Sequence, residues 1–448
     1  MTTRRTSNGE GFARRAFLRI GAAGLFGLGL PQLLESQARA AGPGRARSPG
    51  ASSVIFIWLS GGPSTIDMWD LKPDAPGGIR GEFKPIATRA GGIRICEQLP
   101  KMAGVMDRCT VIRSLAHTIP EHGLASTFMT TGNRPAPVLR YPSLGSLTAR
   151  LAPAAPGAPP FVSFRAQNDV IGAGSVAGYL GPAYDPFTLE VRVVREGTVD
   201  AVVDTRGVTL PAGFTLDQLD NRDGLTRSFD RAFASADRGA DLLAGLDAFG
   251  RQALDIIRSR RTREAMDLRR EPARVRDRYG RTPFGQGCLA ARRLVEAGVR
   301  FVTLSTGAVW DTHGRNFSTL RNELLPALDQ TLSALLADLD DRGMLERTVV
   351  YCAGEFGRTP KVNRNAGRDH WARSMAVVLA GGGFKRGYAH GSTDGQGMAP
   401  ATEACSPDDV AATVLHRLGV DPHRELQTPS GRPVQLFREG KVLSGLLR

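Results

Sequence analysis

The sequence predicts an α/β fold in which a mostly parallel central sheet is flanked by helices. Two apolar runs, Val299 to Leu304 and Val349 to Cys352, have the length and β-branched content of buried strands. The segment between them has helical apolar spacing, a pattern typical of parallel strands joined by a crossover helix. A third run, Val54 to Leu59, is continuously apolar, as central parallel strands are. Because such sheets bind ligands at the carboxyl ends of their strands, the polar residues that follow these runs are candidate site residues.

The other elements have weaker signals that fit the same fold. Further strands are predicted at 110–113, 161–164 and 375–379, and helices from about 122 to 132, at 286–297 and at 408–418. Residues 239–279 carry alternating charges at helical spacing and are predicted to form a solvated helical layer. Residues 165–225 show little periodicity, and we predict that they form an insertion that caps one edge of the site.

The first 40 residues have the pattern of a twin-arginine signal peptide. The stretch from Arg14 to Arg19 resembles the twin-arginine motif, an apolar Gly-rich run extends from Ile20 to Leu34, and Ala38-Arg39-Ala40 fits a cleavage site. A membrane-spanning helix needs about 20 apolar residues, and this run is shorter and interrupted by Pro31. We therefore predict export to the periplasm or beyond, a linker at 41–52, one domain at 53–448, and no integral membrane span in the mature form.

Composition excludes several classes of protein. The 448 residues are 41% hydrophobic and 23% charged, as in soluble globular proteins. The net charge is +14, of which the first 40 residues supply +4, and no dense basic run follows them. We therefore expect no nucleic-acid partner. The five Cys residues lack CxxC spacing, which excludes a zinc knuckle and a disulfide framework.

Candidate metal ligands follow the apolar runs. Asp311 and His313 come after the first run and Glu355 after the second, and Asp369 and His370 are expected to follow another strand end. Imidazole and carboxylate groups suit a divalent cation of borderline softness, so zinc, manganese or iron would fit. Trp310 and Trp371 stand beside these residues, either as a dry wall of the site or as ordinary packing.

Two further residues are candidates for catalysis, each with an alternative interpretation. His117 and His122 flank a predicted helix start. In one interpretation, one of them packs or caps the helix and the other faces solvent. Alternatively, His122 lies at the helix N-terminus, where backbone amides favour an anion such as phosphate or sulfate. Arg358 would either clamp an anionic oxygen or pair with Glu355 or another acid.

Several short motifs are spread along the mature chain: Leu59-Ser60-Gly61-Gly62-Pro63-Ser64 with Asp67, His122-Gly123, Thr131-Gly132, Trp310-Asp311-Thr312-His313, Gly354-Glu355-Phe356-Gly357-Arg358-Thr359-Pro360, Gly367-Arg368-Asp369-His370-Trp371 and His390-Gly391-Ser392-Thr393-Asp394. Through these motifs, nearly the whole mature chain resembles the twin-arginine-exported family known as domain of unknown function 1501. The family looks related to the alkaline phosphatase and sulfatase superfamily, which implies a three-layer sandwich of the alkaline phosphatase type.

The resemblance also implies a site chemistry. Hydrolases of that superfamily hold one or two divalent metals and attack a phosphate or sulfate ester with a side chain at a helix N-terminus. Here the nucleophile position falls on His122, and the first-strand Asp ligand is replaced by Ser60 or Gly61 with Asp67 nearby. Asp311, His313 and His370, with Glu355, match the half of the site that survives, which implies one metal.

These observations lead to two functional hypotheses. The first is an exported metal-dependent hydrolase of phosphate or sulfate esters, with a small-molecule or polymeric anionic ester as substrate. His122 would then act as general base or covalent acceptor, and Arg358 would stabilise developing charge. The alternative is a non-catalytic binding protein for anionic polymers on a degenerate sulfatase-like scaffold. The sequence makes no prediction of oligomeric state.

Overall fold

The computed structural model describes residues 50–152, 154–165, 176–196, 198–205, 218, 250, 253–307 and 309–448. The predicted signal peptide and almost all of the predicted linker lie outside these residues, as does much of the predicted insertion. Within the described part of the chain, no helix is both long and apolar enough to cross a bilayer.

The described residues form a nine-stranded sheet. Its strands, in chain order, are β1 (Ser53–Trp58), β2 (Cys109–Leu115), β3 (Phe161–Arg165), β4 (Phe187–Glu196), β5 (Thr198–Val203), β6 (Phe301–Ser305), β7 (Thr348–Ala353), β8 (Met375–Ala380) and β9 (Tyr388–His390). Their order across the sheet is β9-β2-β8-β7-β1-β6-β3-β4-β5. β8 runs antiparallel to β2 and β7, β5 runs antiparallel to β4, and the remaining neighbours are parallel. All the predicted strands are confirmed, with ends that differ by a few residues.

Helices cover both faces of the sheet. Those of seven or more residues in the described ranges are α1 (His122–Thr131), α2 (Leu144–Leu151), α3 (Arg260–Met266), α4 (Ala273–Tyr279), α5 (Pro283–Ala297), α6 (Leu325–Asp341) and α7 (Pro407–Arg417). Short helical turns occupy Gly77–Arg80, Pro100–Ala103 and Asn316–Thr319, and a π-helical turn at Leu320–Leu324 leads into α6. Two-residue and three-residue strands form four small pairs: Pro85–Ala87 with Arg94–Cys96, Gly357–Arg358 with His370–Trp371, Ser392–Thr393 with Pro400–Thr402, and Glu425–Gln427 with Pro433–Gln435.

The two faces of β1 build two separate cores, because successive side chains of a strand point to opposite faces of its sheet. Ile55 and Ile57 pack in the core that contains α5 and α6. Val54 and Phe56 pack in the core that contains α2 and α7. All six residues of β1 are buried, which explains why its sequence is continuously apolar. The result is three layers, helix, sheet and helix, and the predicted α/β class is confirmed.

β1 lies between β6 and β7 and is parallel to both. The chain leaves β6, passes through α6 and returns in β7, as the apolar spacing predicts. The carboxyl ends of three neighbouring strands therefore meet at one edge of the sheet, here called the carboxyl edge. The opposite end of the same three strands is the amino edge.

One sequence prediction about this edge is wrong. Asp369 and His370 do not follow a strand of the main sheet. His370 belongs to the small pair formed by Gly357–Arg358 and His370–Trp371, and this pair precedes β8. Because β8 is antiparallel to β7, its amino end lies at the carboxyl edge, and the two residues reach that edge from the other direction.

The described part of the predicted insertion extends the sheet. β4 pairs with β3 in parallel, and β5 pairs with β4 in the antiparallel direction. Whether residues 165–225 cover the site remains a prediction, since about half of them lie outside the described residues.

Candidate metal centre

His122 is placed by the start of helix α1, of which it is the first residue. Glu121 caps the helix, because its two carboxylate oxygens accept hydrogen bonds from the backbone N–H groups of Gly123 (2.8 Å) and Leu124 (2.7 Å). Capping carboxylates hold the first turn in place and stabilise the positive end of the helix. The backbone from which the His122 side chain extends is therefore fixed.

Three histidines are each held through the Nδ1 atom of the ring. Nδ1 of His122 lies 2.6 Å from Oε1 of Glu355, and Nδ1 of His313 lies 2.7 Å from Oδ1 of Asp369. Nδ1 of His370 lies 2.9 Å from the backbone oxygen of Pro120. An ionised carboxylate and a backbone carbonyl can only accept, so each Nδ1 carries a proton and donates it. In a neutral ring, Nε2 is then the free acceptor.

The three Nε2 atoms converge on Asp311. Nε2 of His313 and Nε2 of His370 lie 3.0 Å and 3.3 Å from Oδ1 of Asp311, and Nε2 of His122 lies 3.5 Å from Oδ2. Nε2 of His313 is also 3.0 Å from Nε2 of His370. Two neutral acceptors at this distance would repel each other, so the arrangement calls for a cation between them, either a proton or a metal ion.

The donor set fits a divalent metal. One ligand atom each from His122, Asp311 and His370 lie within 4.8 Å of one another. A tetrahedron with bonds of about 2.0–2.1 Å, the range of zinc to imidazole and carboxylate, has edges of about 3.3–3.4 Å. The spacing of the donors around Asp311 is close to that value. Acceptors on the far side of ligand histidines are also the usual support of such sites.

The pKa shifts of His122 and His370 have opposite directions. The hydrogen bond to Glu355 is the main reason that the pKa of His122 is raised above 6.5. Burial lowers the pKa of His370. Burial would raise the pKa of Asp311, but the hydrogen bond and the charge of Arg358, together with the charges of His313 and His122, outweigh it and the net direction is down. Asp311 is therefore a carboxylate, and His370 favours the neutral form that a metal needs.

Arg358 holds the carboxylate of Asp311 in position. Its side chain is fully buried and its guanidinium pairs with Asp311. It also donates to the backbone oxygens of Gly61, Gly62 (2.6 Å) and Arg368 (3.0 Å). Of the two alternatives for Arg358, the structure shows the ion pair with an acid. A guanidinium so enclosed is a positioning group for Asp311, not a surface clamp for an ester oxygen.

Glu355 and Asp369 stand behind the histidines. Glu355 is completely buried, and its Oε1 accepts from the backbone N–H of Gly61 (2.9 Å) as well as from His122. Its Oε2 is buried without a hydrogen-bond partner in the described structure. Asp369 is half exposed, with 53% of its side chain accessible, and also accepts from Nδ2 of Asn363 (3.2 Å). Both carboxylates, predicted as ligands, thus bind the Nδ1 side of a histidine.

His117 shows what a structural histidine looks like in the same neighbourhood. It is buried, its Nε2 lies 2.8 Å from the backbone oxygen of Glu355, and its Nδ1 accepts from the N–H of Ile119. Burial lowers its pKa to about 4. The packing interpretation fits His117, whereas His122 has 20% of its side chain accessible and faces the cluster.

The aromatic residues of the motifs also fall into two groups, those that bond elsewhere and one that packs against the histidine cluster. Trp310 is buried and donates to Oγ1 of Thr306 (3.1 Å), and Trp371 donates to the backbone oxygen of Met398 (2.9 Å). Phe356 packs against the rings of His122 and His370, with centroid distances of 4.9 Å and 4.5 Å. Phe356 is therefore the aromatic wall of the cluster.

Asp67, the acid nearest to the first strand, is used elsewhere. It is buried and receives Nε and Nη2 of Arg368 at 2.8 Å each, together with Oγ of Ser64 (2.7 Å) and Nδ2 of Asn316 (2.9 Å). This ion pair anchors the loop that ends in Asp369 and His370. The turn that follows β1 contributes a backbone N–H, that of Gly61, in place of a carboxylate.

A family model described as "Protein of unknown function (DUF1501)" matches residues 51–447. The chain belongs to this family. No protein with a curated description matches the sequence.

Solved structures with a similar fold include Ps i-CgsB in complex with k-i-k-neocarrahexaose (11% identity, 83% of this chain and 72% of that chain, TM-score 0.39). The PsFucS1 sulfatase from Pseudoalteromonas sp. has 11% identity over 86% of this chain and 70% of that one, with a TM-score of 0.35. The alkaline phosphatase from the Antarctic bacterium TAB5 has 10% identity over 83% of this chain and 99% of that one, with a TM-score of 0.38. At these identities the similarities carry nothing about activity.

Proposed function

We propose that this protein is an exported metal-dependent hydrolase of phosphate or sulfate esters. The observation that carries the proposal is the convergence of three Nε2 atoms on Asp311, each ring held from behind by its own acceptor. Without a cation at the centre of this set, acceptor atoms face one another, and that arrangement costs free energy. Export rests on the twin-arginine pattern of residues 1–40.

His122, Asp311 and His370 would hold one divalent cation, either zinc, manganese or iron. Such a cation, when bound, supplies Lewis acidity toward an ester oxygen. The protein's part is orientation: Glu355 and the carbonyl of Pro120 fix the tautomers of His122 and His370, and Arg358 fixes Asp311. This gives His122, which the sequence predicted as a catalytic residue, the role of ligand.

His313 would then be the proton acceptor. It is the most exposed of the three rings, with 46% of its side chain accessible, and Asp369 holds its Nδ1 proton. Its Nε2 faces the cluster and can take a proton from an attacking water, and Asp369 stabilises the imidazolium that results. Three protein ligands and one open position are the pattern of catalytic metal sites, in contrast to closed four-ligand sites.

A second candidate function follows if His313 is a fourth ligand, as the sequence predicts. Its Nε2 lies 3.0 Å from both Asp311 and His370, close enough to close the coordination shell. A closed site has no position for substrate. The protein would then be a binding protein for anionic polymers, and the cation would be structural.

Turnover and metal binding in His313→Ala separate these functions. The full chain, purified after export, would be loaded with zinc, manganese or iron and assayed with an aryl phosphate and an aryl sulfate. The hydrolase predicts turnover that a chelator removes. It also predicts that His313→Ala keeps the cation but loses turnover by about 100-fold or more, since about 100-fold is the lower end of the range for a general base.

His423→Ala is the matched control, because His423 is exposed and lies outside the cluster. This variant should keep both the bound cation and the turnover of the ester. If His313→Ala loses the cation as completely as His370→Ala and no ester is turned over, the binding function is supported and the hydrolase is wrong.

A further inference from the structure

The amino edge of the sheet carries a second charged cavity, far from the histidine cluster. This cavity, here called the amino-edge pocket, has a volume of about 680 Å³ and is lined by Arg261, Arg300, Arg342, Arg347 and Glu296, among others. Arg300 directly precedes β6 and Arg347 directly precedes β7. A strand of five or six residues spans about 16–20 Å, so the pocket and the cluster cannot share one small ligand.

Cationic groups outnumber acids in this pocket. Four arginines line it, with Glu296 as the one carboxylate among the lining residues that the structure describes. That carboxylate already pairs with Nη1 of Arg292 at 2.7 Å, outside the lining. Arg342 has its own partner, since its Nε lies 2.8 Å from Oδ1 of Asp338. Three guanidinium groups, those of Arg261, Arg300 and Arg347, are therefore left without a full counter-charge.

The hydrogen bonds in the pocket also leave arginine donors without acceptors among the described residues. Arg261 donates to the backbone oxygen of Glu296, and Nη1 of Arg300 donates to the backbone oxygen of Ser52 (2.7 Å). Nε of Arg300 is buried and has no partner in the described structure. The side chain of Arg347 makes no hydrogen bond or ion pair with the described residues, and the side chains of Arg261 and Arg300 make none with these residues beyond the two just named.

A buried guanidinium N–H without an acceptor destabilises the folded protein, because it loses its hydration and gains no hydrogen bond in return. Burial lowers the pKa of Arg300, which reflects the same loss. An acceptor with negative charge would supply both the hydrogen bond and the counter-charge, and planar guanidinium forks match the oxygens of phosphate and sulfate groups.

We propose that the amino-edge pocket, between Arg261, Arg300 and Arg347, binds an oxyanion of the phosphate or sulfate class. The group is either a free ion or one borne by a polymer, and a pocket of this volume also accommodates the sugar unit that would carry it. The site is separate from the histidine cluster and does not depend on the hydrolase proposed above. It would let the protein hold an anionic ligand at the edge opposite its metal centre.

Calorimetric titration at low ionic strength tests this proposal, with inorganic sulfate and a sulfated hexasaccharide as the two probes. The protein is the full mature chain carrying His370→Ala, so that the histidine cluster contributes as little as possible. Arg300→Gln with Arg347→Gln should weaken binding of at least one probe by about tenfold or more, since a single hydrogen bond to a charged group accounts for such a factor. Added salt should weaken the binding of the parent chain.

Arg424→Gln with Arg432→Gln is the matched control, because it also removes two positive charges and both residues are exposed at the C-terminal hairpin, outside the pocket. A loss for both probes supports a site for the free ion, and a loss for the hexasaccharide alone supports a polymer-borne group. Equal binding by the Arg300 and Arg347 double variant and its parent would overturn the proposal. An equal loss in the control double variant would also overturn it, since the effect would then be one of net charge.

Discussion

The same three strands, β1, β6 and β7, present opposite chemistry at their two ends. Arg300 and Arg347 precede β6 and β7, and they line the amino-edge pocket. Asp311, His313 and Glu355 follow the same two strands and build the histidine cluster. Because parallel neighbours run in one direction, residues that precede and residues that follow the strands are sorted to opposite edges. The sheet thus separates an arginine site from an imidazole and carboxylate site.

The two edges also differ in how their charges are satisfied. At the carboxyl edge, each histidine has an acceptor behind it, and the Nε2 atoms face the carboxylate of Asp311. At the amino edge, the guanidinium groups have no full counter-charge among the described residues. Each edge should therefore respond to changes that leave the other untouched.

His370→Ala should have the largest effect. Removing one of three protein ligands should lower metal affinity by more than about 100-fold, because even changes behind a ligand cost 10–100-fold. Anion binding at the amino edge should stay unchanged. Titration of zinc and of inorganic sulfate into the same preparation checks both statements. Loss of sulfate binding together with zinc binding would show that the edges are not independent.

Asp67→Asn should destabilise the fold around the carboxyl edge. It removes the partner of the buried Arg368 guanidinium, and breaking such a pair costs about 3–5 kcal/mol because a charge stays buried alone. Urea unfolding monitored by circular dichroism measures the change in the free energy of unfolding.

Glu346→Gln is the contrasting variant, since Glu346 makes exposed pairs with Arg386 and Arg448. It should cost less than about 1 kcal/mol. Similar losses for both variants would mean that the Asp67 pair is not the anchor of this loop.

Glu355→Gln should reduce metal affinity more than Asp369→Asn does. Both carboxylates hold the Nδ1 proton of a histidine, but Glu355 is fully buried and Asp369 is half exposed, where water can replace it. We expect a loss of about 10–100-fold for Glu355→Gln and less than about tenfold for Asp369→Asn. Zinc titrations of the two variants compare them, and the reverse order would contradict the roles given to the two acids.

The smallest expected effect is a difference in pH dependence between the edges. The pKa of His122 is raised above 6.5 in the folded protein, chiefly by its hydrogen bond to Glu355. The protonated pair therefore stabilises the metal-free fold fully below pH 6.5, and this contribution is lost as pH rises through the raised value. Metal binding needs the neutral ring, so metal affinity should rise over that same interval.

Sulfate binding at the amino edge should stay flat over this interval, because guanidinium groups remain charged. Metal and sulfate titrations at several pH values above and below 6.5 provide the test. Glu355→Gln should move the rise in metal affinity to lower pH. A pH-independent metal affinity in the parent chain would contradict the place of His122 in the cluster.

Much of this arrangement could be predicted from the sequence, because apolar runs encode strands and the ends of parallel strands meet. That reasoning brought Asp311, His313 and Glu355 to one edge. It could not give the role of Glu355, since spacing does not tell a ligand from the acceptor behind a ligand. It also misplaced Asp369 and His370 after a strand, because a two-residue strand pair leaves no periodic signal.

Strand and helix patterns alone could not place His122 beside Asp311. The two residues are far apart along the chain, and the start of α1, capped by Glu121, brings the ring to the cluster. The available signals were a histidine at a predicted helix start and the family resemblance, which put His122 at the nucleophile position. The three-layer architecture also decides which histidine is structural: His117 is enclosed by main-chain groups, and His122 is open to the edge.

We expect one divalent cation to occupy the histidine cluster. Elemental analysis of the mature chain purified after export tests this expectation, followed by titration of the stripped protein with zinc, manganese and iron. We predict about one equivalent per chain in the native protein, and the same stoichiometry in the titration with one of the three. A protein that carries no such metal and binds none of the three would contradict this expectation, and the cluster would then be a hydrogen-bond network held together by a proton.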